Sequence, residues 1–107
     1  MLLHKKRIFI SYSSVDRTVA IKASKLFENL GYSVWIDYQN LDLRFCVELQ
    51  IYHALQACEY FAVIVSSSSK MSDWVQLEWS KAREMHKSIF VLYADAFVGL
   101  ETNSKNA

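Results

Sequence analysis

Glu78 lies four residues after Trp74 and next to Trp79 in the stretch Ser-Asp-Trp-Val-Gln-Leu-Glu-Trp, residues 72–79. A carboxylate beside an indole suits one kind of bond breaking. Cleavage of a glycosidic bond passes through an oxocarbenium-like state, which an anion held against the sugar stabilises. Most glycosides also need an acid to protonate the departing oxygen. The pyridinium of a nicotinamide riboside needs none, because it leaves as a neutral amide. One glutamate is then enough, with an aromatic wall to hold the ring and exclude water. The competing reading is structural: a glutamate at the edge of the core, paired with a lysine or arginine, because charged side chains seldom go inside alone.

A helical wheel separates the two readings. With Trp74 at zero and about 100° per residue, Met85, Ala82, Val75, His86 and Trp79 share one arc, and Glu78 lands inside it at about 40°. Arg83, Gln76, Lys87, Ser80 and Glu84 occupy the other side, with Leu77 as the large apolar exception. Glu78 therefore faces inward, one turn from Trp74.

The elements around this helix follow from periodicity. Residues 7–12 (RIFISY), 32–37 (YSVWID), 60–66 (YFAVIVS) and 88–94 (SIFVLYA) are short β-rich runs. The third is nearly all apolar, as a strand buried on both faces should be. Val19, Ala23, Leu26, Phe27 and Leu30 form the stripe of a first helix, with Ser14 or Asp16 to cap its start and Gly31 to stop it. Val47, Ile51, Ala54, Leu55 and Cys58 mark a second helix after a polar loop, 38–46. Asp73 and Gln76 offer a capping pair for the third. Strands alternating with helices predict an α/β fold: a flavodoxin-like parallel sheet in the order 2-1-3-4 with helices on both faces. Ligands of such sheets bind at the carboxyl ends of the strands, where neighbouring crossovers part. That crevice is lined by Ser11, Tyr12, Ser13 and Ser14 after the first strand and by residues 66–72 after the third. Asp37 closes the second strand on the same edge, and Trp74 and Glu78 begin the helix rising from it.

Composition narrows the alternatives. The chain has 107 residues, 52% hydrophobic, which predicts one globular domain over 1–95 followed by a patternless tail, 96–107. A formal net charge of +1 removes the electrostatic case for nucleic acid. No apolar run approaches the roughly 18 residues of a membrane span, and Leu2-Leu3 precede the charges, the wrong order for a signal peptide. Cys46 and Cys58 form no CxxC and fit a reduced, cytoplasmic protein. With two glycines and no proline, the chain holds neither a dinucleotide fingerprint nor a P-loop. The first and third strands end in serine, so a phosphoacceptor receiver is set aside. His4, His53 and His86 lie on elements that offer no serine a base. A cysteine nucleophile paired with His53 is a minor alternative, since buried thiols are usually inert. His86 reads as a packed imidazole. No spacing of His, Cys and carboxylates makes a metal site.

In order along residues 7 to 95, these motifs resemble a Toll/interleukin-receptor (TIR) domain of the bacterial type. FISYSSVD (9–16) resembles the family's first box, GYSVWID (31–37) its second strand, and the loop that follows its BB loop. The spacing of Ile51, Ala54, Leu55 and Cys58 resembles its second helix, and residues 63–79 resemble its Ser-x-x-x-x-Ser-x-Trp-x-x-x-Glu stretch. The resemblance to NAD-cleaving members implies Glu78 as the catalytic residue, with Ser13, Ser14, Asp42 and Trp74 on the substrate. NAD+ would be substrate, with no cofactor and no metal, in bacterial defence or virulence signalling. Other TIR domains are non-catalytic adaptors that bind further TIR domains. Two departures stand out. Arg44 replaces the glycine usual in the BB loop, where a side chain restricts φ. The family's fifth strand and last helix have no counterpart in the pattern. The fourth strand is then an outer apolar edge, which predicts self-association either edge to edge or through the tail with Phe97, Val98 and Leu100.

Overall fold

The computed structural model describes residues 6–40, 42–67 and 72–95. β1 (Arg7–Ser11) leads through a single turn of 3-10 helix (Ser14–Asp16) into α1 (Arg17–Asn29), and β2 (Ser33–Trp35) into the short α2 (Asp37–Asn40). Then come α3 (Val47–Ala57), β3 (Tyr60–Val65), α4 (Asp73–Glu84) and β4 (Ser88–Tyr93). All neighbouring strands pair in parallel, in the order β2-β1-β3-β4. This is the predicted order. The second strand is shorter than expected because the chain turns at Ile36 into α2.

Side-chain alternation along the strands builds two core layers. Ile8, Ile10, Ala62 and Ile64 face α1, where Ala20, Ala23 and Phe27 meet them. Phe9, Phe61 and Val63 face the other way, against Ile51, Ala54 and Leu55 of α3 and Val75 and Ala82 of α4. Both central strands are thus apolar on both faces, as their sequences require. The α3 stripe is as expected. That of α1 is turned by part of a revolution: Ala20 and Ser24 go inside while Leu26 and Leu30 are 49% and 65% exposed. Small residues let the helix lie close to the sheet, and that closeness outweighs covering two leucines at its edge. On β4, Phe90, Val91 and Tyr93 are exposed. The tail 96–107 lies outside the described residues.

The ends of α1 and α4 share one device. After α1, the Gly31 N–H donates to the Glu28 carbonyl and the Tyr32 N–H to the Phe27 carbonyl, both 3.0 Å, with Gly31 at φ +95°. The Tyr32 ring meets Phe27 edge-on at 5.4 Å, completing a Schellman motif with its apolar contact. After α4, His86 donates to Arg83 at 3.1 Å and Lys87 to Ala82 at 3.0 Å, with His86 at φ +57°. His86 is therefore exposed and not a packed imidazole: the helix ends at Glu84, and the wheel cannot be carried past it. At the start of α4, Ser72 is the N-cap, its Oγ accepting from the Val75 N–H at 3.3 Å. The expected Asp73–Gln76 pair does not fill that role, because Asp73 is already inside the first turn. A side chain at left-handed φ costs roughly 1–2 kcal/mol. His86→Gly should accordingly raise unfolding stability by about 1 kcal/mol, read from urea denaturation; a loss of stability would show that the imidazole makes a compensating contact.

Candidate active site

Phe9 and Ser11 share a face of β1, so the last residue of the strand points toward α4 as Phe9 does. There Ser11, 1% exposed, donates its Oγ–H to Glu78 Oε1 at 2.7 Å. Glu78 is itself 4% exposed. Among the described residues no lysine, arginine or histidine is paired with it, so the edge ion pair considered above is not what holds it. Burial pushes its carboxyl up to about 8, and the nearby Asp37 charge adds to that, against the opposing effect of the Ser11 hydrogen bond. At neutral pH the free protein carries Glu78 mainly in its neutral form.

Two hollows meet at Trp74, which is 39% exposed. The groove between α3 and α4, about 370 Å³, has Glu78 in its wall with Cys46, Leu49, Tyr52, Trp74 and Lys81. The cleft at the strand ends, about 290 Å³, is lined by Tyr12, Ser13, Ser14, Asp37, Ser72 and Trp74. A larger hollow of about 470 Å³ between β3 and α4, with Val65, Trp79 and Arg83, contains no carboxylate. Four of the five residues singled out by sequence thus line two adjoining hollows: Ser13 and Ser14 one, Glu78 the other, Trp74 both.

Asp42 lines neither. Its carboxylate accepts from the Arg44 backbone N–H and Nε at 3.0 Å and from Nη2 at 2.8 Å. The Arg44 guanidinium and N–H hold its carboxyl below the usual range. Gln50 of α3 fixes the same residue by its backbone, accepting from the Asp42 N–H at 2.8 Å and donating to its carbonyl at 2.6 Å. Arg44 takes an ordinary negative φ, so this turn needs no glycine. Sequence reasoning put Ser11, Tyr12 and Asp37 at the crevice without giving them a part. In the structure Ser11 holds Glu78, and the Tyr12 hydroxyl donates to Asp37 Oδ1 at 2.5 Å. A serine ending an otherwise apolar buried strand was the available signal. The thiol of Cys58 is buried and pushed up to about 11 by that burial, while Cys46 is exposed. Among the described residues no cluster of three potential metal ligands occurs, and no helix is long and apolar enough to cross a membrane.

The family model for the TIR domain matches residues 8–103. This chain belongs to the TIR domain family. Among solved structures it is similar to the TIR domain of the Toll-related receptor TRR-2 from Hydra magnipapillata, with a TM-score of 0.71 and 14% identity over 78% of this chain and 66% of that one. It is also similar to the TIR domains of the activated Roq1 resistosome that recognises the pathogen effector XopQ. There the TM-score is 0.72 and the identity 16%, over 83% of this chain and 57% of that one. The chain therefore spans just under two thirds of the Hydra domain and little more than half of the Roq1 chain. No curated protein matches the sequence.

A carboxyl whose folded value is raised binds a proton that the unfolded chain has lost. Between the ordinary value of 4.5 and about 8 the folded state holds more protons, so stability falls as pH rises through that window. The fall should be on the order of a few kcal/mol from pH ~5 to ~9. Glu78→Gln, which keeps the shape and the bond from Ser11, should flatten it and be at least as stable as the parent above pH ~8. Denaturation midpoints across that range test this; identical pH curves for the two proteins would contradict the buried, unpaired carboxyl.

Proposed function

We propose that the domain cleaves NAD+ at the nicotinamide–ribose bond, with Glu78 as the catalytic residue. The observation that supports this reading most is a carboxyl 4% exposed, without a cationic partner among the described residues, in the wall of a groove that it shares with an exposed indole. Burying a carboxyl in this way disfavours its charged form, and such groups concentrate at sites where a charge is needed during a reaction. A bound pyridinium supplies the missing positive charge and draws the proton off Glu78. The C1′–N bond then breaks with both electrons leaving on nitrogen, giving neutral nicotinamide. The Glu78 carboxylate stabilises the oxocarbenium-like ribose in a dry groove. Water adding to C1′ gives ADP-ribose and releases one proton; a ring nitrogen of the adenine adding instead gives a cyclic isomer. Trp74 packs the ribose and the departing ring, Ser13 and Ser14 hold the rest of the dinucleotide from the strand ends, and Asp42 joins them once it is released from Arg44. No cofactor or metal takes part.

A second reading is an interaction module for other TIR domains. It is favoured by the exposed apolar residues Leu43, Phe45, Leu49, Tyr52 and Leu77 on α3, α4 and the loop before α3. The two readings separate on activity. Nicotinamide release from NAD+ should be measurable at high protein concentration and fall about 100-fold or more in Glu78→Gln. For the parent, kcat/KM should climb with pH and level off above about 8. Cleavage that survives the substitution would remove Glu78 from the mechanism; no cleavage by the parent would leave the interaction module.

A further inference from the structure

The strand-end cleft has an unusual set of walls for a dinucleotide site. Its lining supplies four hydroxyls, from Tyr12, Ser13, Ser14 and Ser72, one carboxylate, Asp37, and one indole, Trp74. Among these described residues there is no lysine or arginine. A phosphate placed here would face a carboxylate with no counter-charge. A neutral polyol meets what it needs: hydroxyl partners, a carboxylate to accept from adjacent hydroxyls, and an indole face for its C–H side. The volume of about 290 Å³ is at the small end of ligand pockets, which run from about 300 to 1,000 Å³, and suits one sugar ring better than a whole dinucleotide.

We propose that this cleft is a ribose-diol site in which Asp37, oriented by the Tyr12 hydroxyl, accepts hydrogen bonds from the 2′- and 3′-hydroxyls. A carboxylate offers about four acceptor positions. The 2.5 Å bond from Tyr12 uses one on Oδ1 and fixes the plane of the group. Tyr12 can do this because it is buried on the α1 side of β1 while Asp37 opens α2 directly after β2. The phosphates of a bound dinucleotide then lie outside the cleft, and Ser13 and Ser14 act as hydroxyl partners of the sugar rather than as an anion cradle. The proposal rests on the NAD reading only for which molecule brings the ribose.

The test is calorimetric titration of ADP-ribose into the Glu78→Gln protein, with and without Asp37→Asn. Asparagine still accepts from Tyr12, so the melting temperature should hold while affinity for ADP-ribose falls about 10-fold or more, as loss of charge-assisted hydrogen bonds implies. A 2′,3′-dideoxy analogue should bind the two proteins equally, and inorganic pyrophosphate should not compete. Should Asp37→Asn unfold, Tyr12→Phe takes its place: it should weaken ADP-ribose and spare the dideoxy analogue. Equal binding of ADP-ribose with and without Asp37, no binding at all, or a pyrophosphate that competes and binds better in Asp37→Asn would overturn the diol site. A parent that releases no nicotinamide but shows the diol-dependent loss would sink the NAD chemistry and leave the site standing. The reverse pattern would do the opposite.

Discussion

Everything at the candidate site depends on one buried contact, the hydrogen bond from Ser11 Oγ to Glu78. It joins the end of a central strand to the second turn of α4. A carboxyl placed there without a cation is kept mainly neutral by its surroundings, and it costs free energy to ionise. The contact exists because two independent periodicities agree. The strand repeat of two turns Ser11 to the face that α4 covers, and the helix repeat turns Glu78 into the same layer beside Val75 and Ala82. Ser72, capping α4, sets where that helix begins and so the depth at which Glu78 sits.

From this anchor the two hollows follow. Trp74 is one helical turn nearer the strand ends than Glu78, so a single indole forms a wall of both the α3–α4 groove and the strand-end cleft. Asp37 reaches the cleft because β2 is short and the chain turns at once into α2. The loop before α3 is built differently. Arg44 and Gln50 satisfy Asp42 from within the loop and its following helix, so it holds a shape of its own and leaves the groove open. An exposed pair of this kind is weak, which leaves the loop free to rearrange when a ligand or another domain approaches.

Much of this was legible in the sequence because it is local. Strand positions, sheet order, the α3 stripe, the inward turn of Glu78 and the crevice at the strand ends all follow from residue periods and the rules of parallel sheets. What was not legible depends on partners far along the chain. Ser11 and Glu78 are 67 residues apart, and Tyr12 and Asp37 are 25 apart; hydropathy carries no sign of either pairing. The facing of α1 depended on how closely it lies against the sheet, which favoured Ala20 and Ser24 over Leu26 and Leu30. His86 misled because a wheel assumes that the helix continues, whereas a left-handed residue ended it.

The central claim is that Glu78 is a buried carboxyl kept neutral in the free protein, and titrating that one group is the most direct measurement of it. With 13C-labelled glutamate and the Glu78→Gln protein to assign the signal, the side-chain carboxyl shift should follow a midpoint of about 8. It should move toward lower pH when a cationic nicotinamide ligand binds. A midpoint near the ordinary 4.5, unmoved by the ligand, would contradict the account.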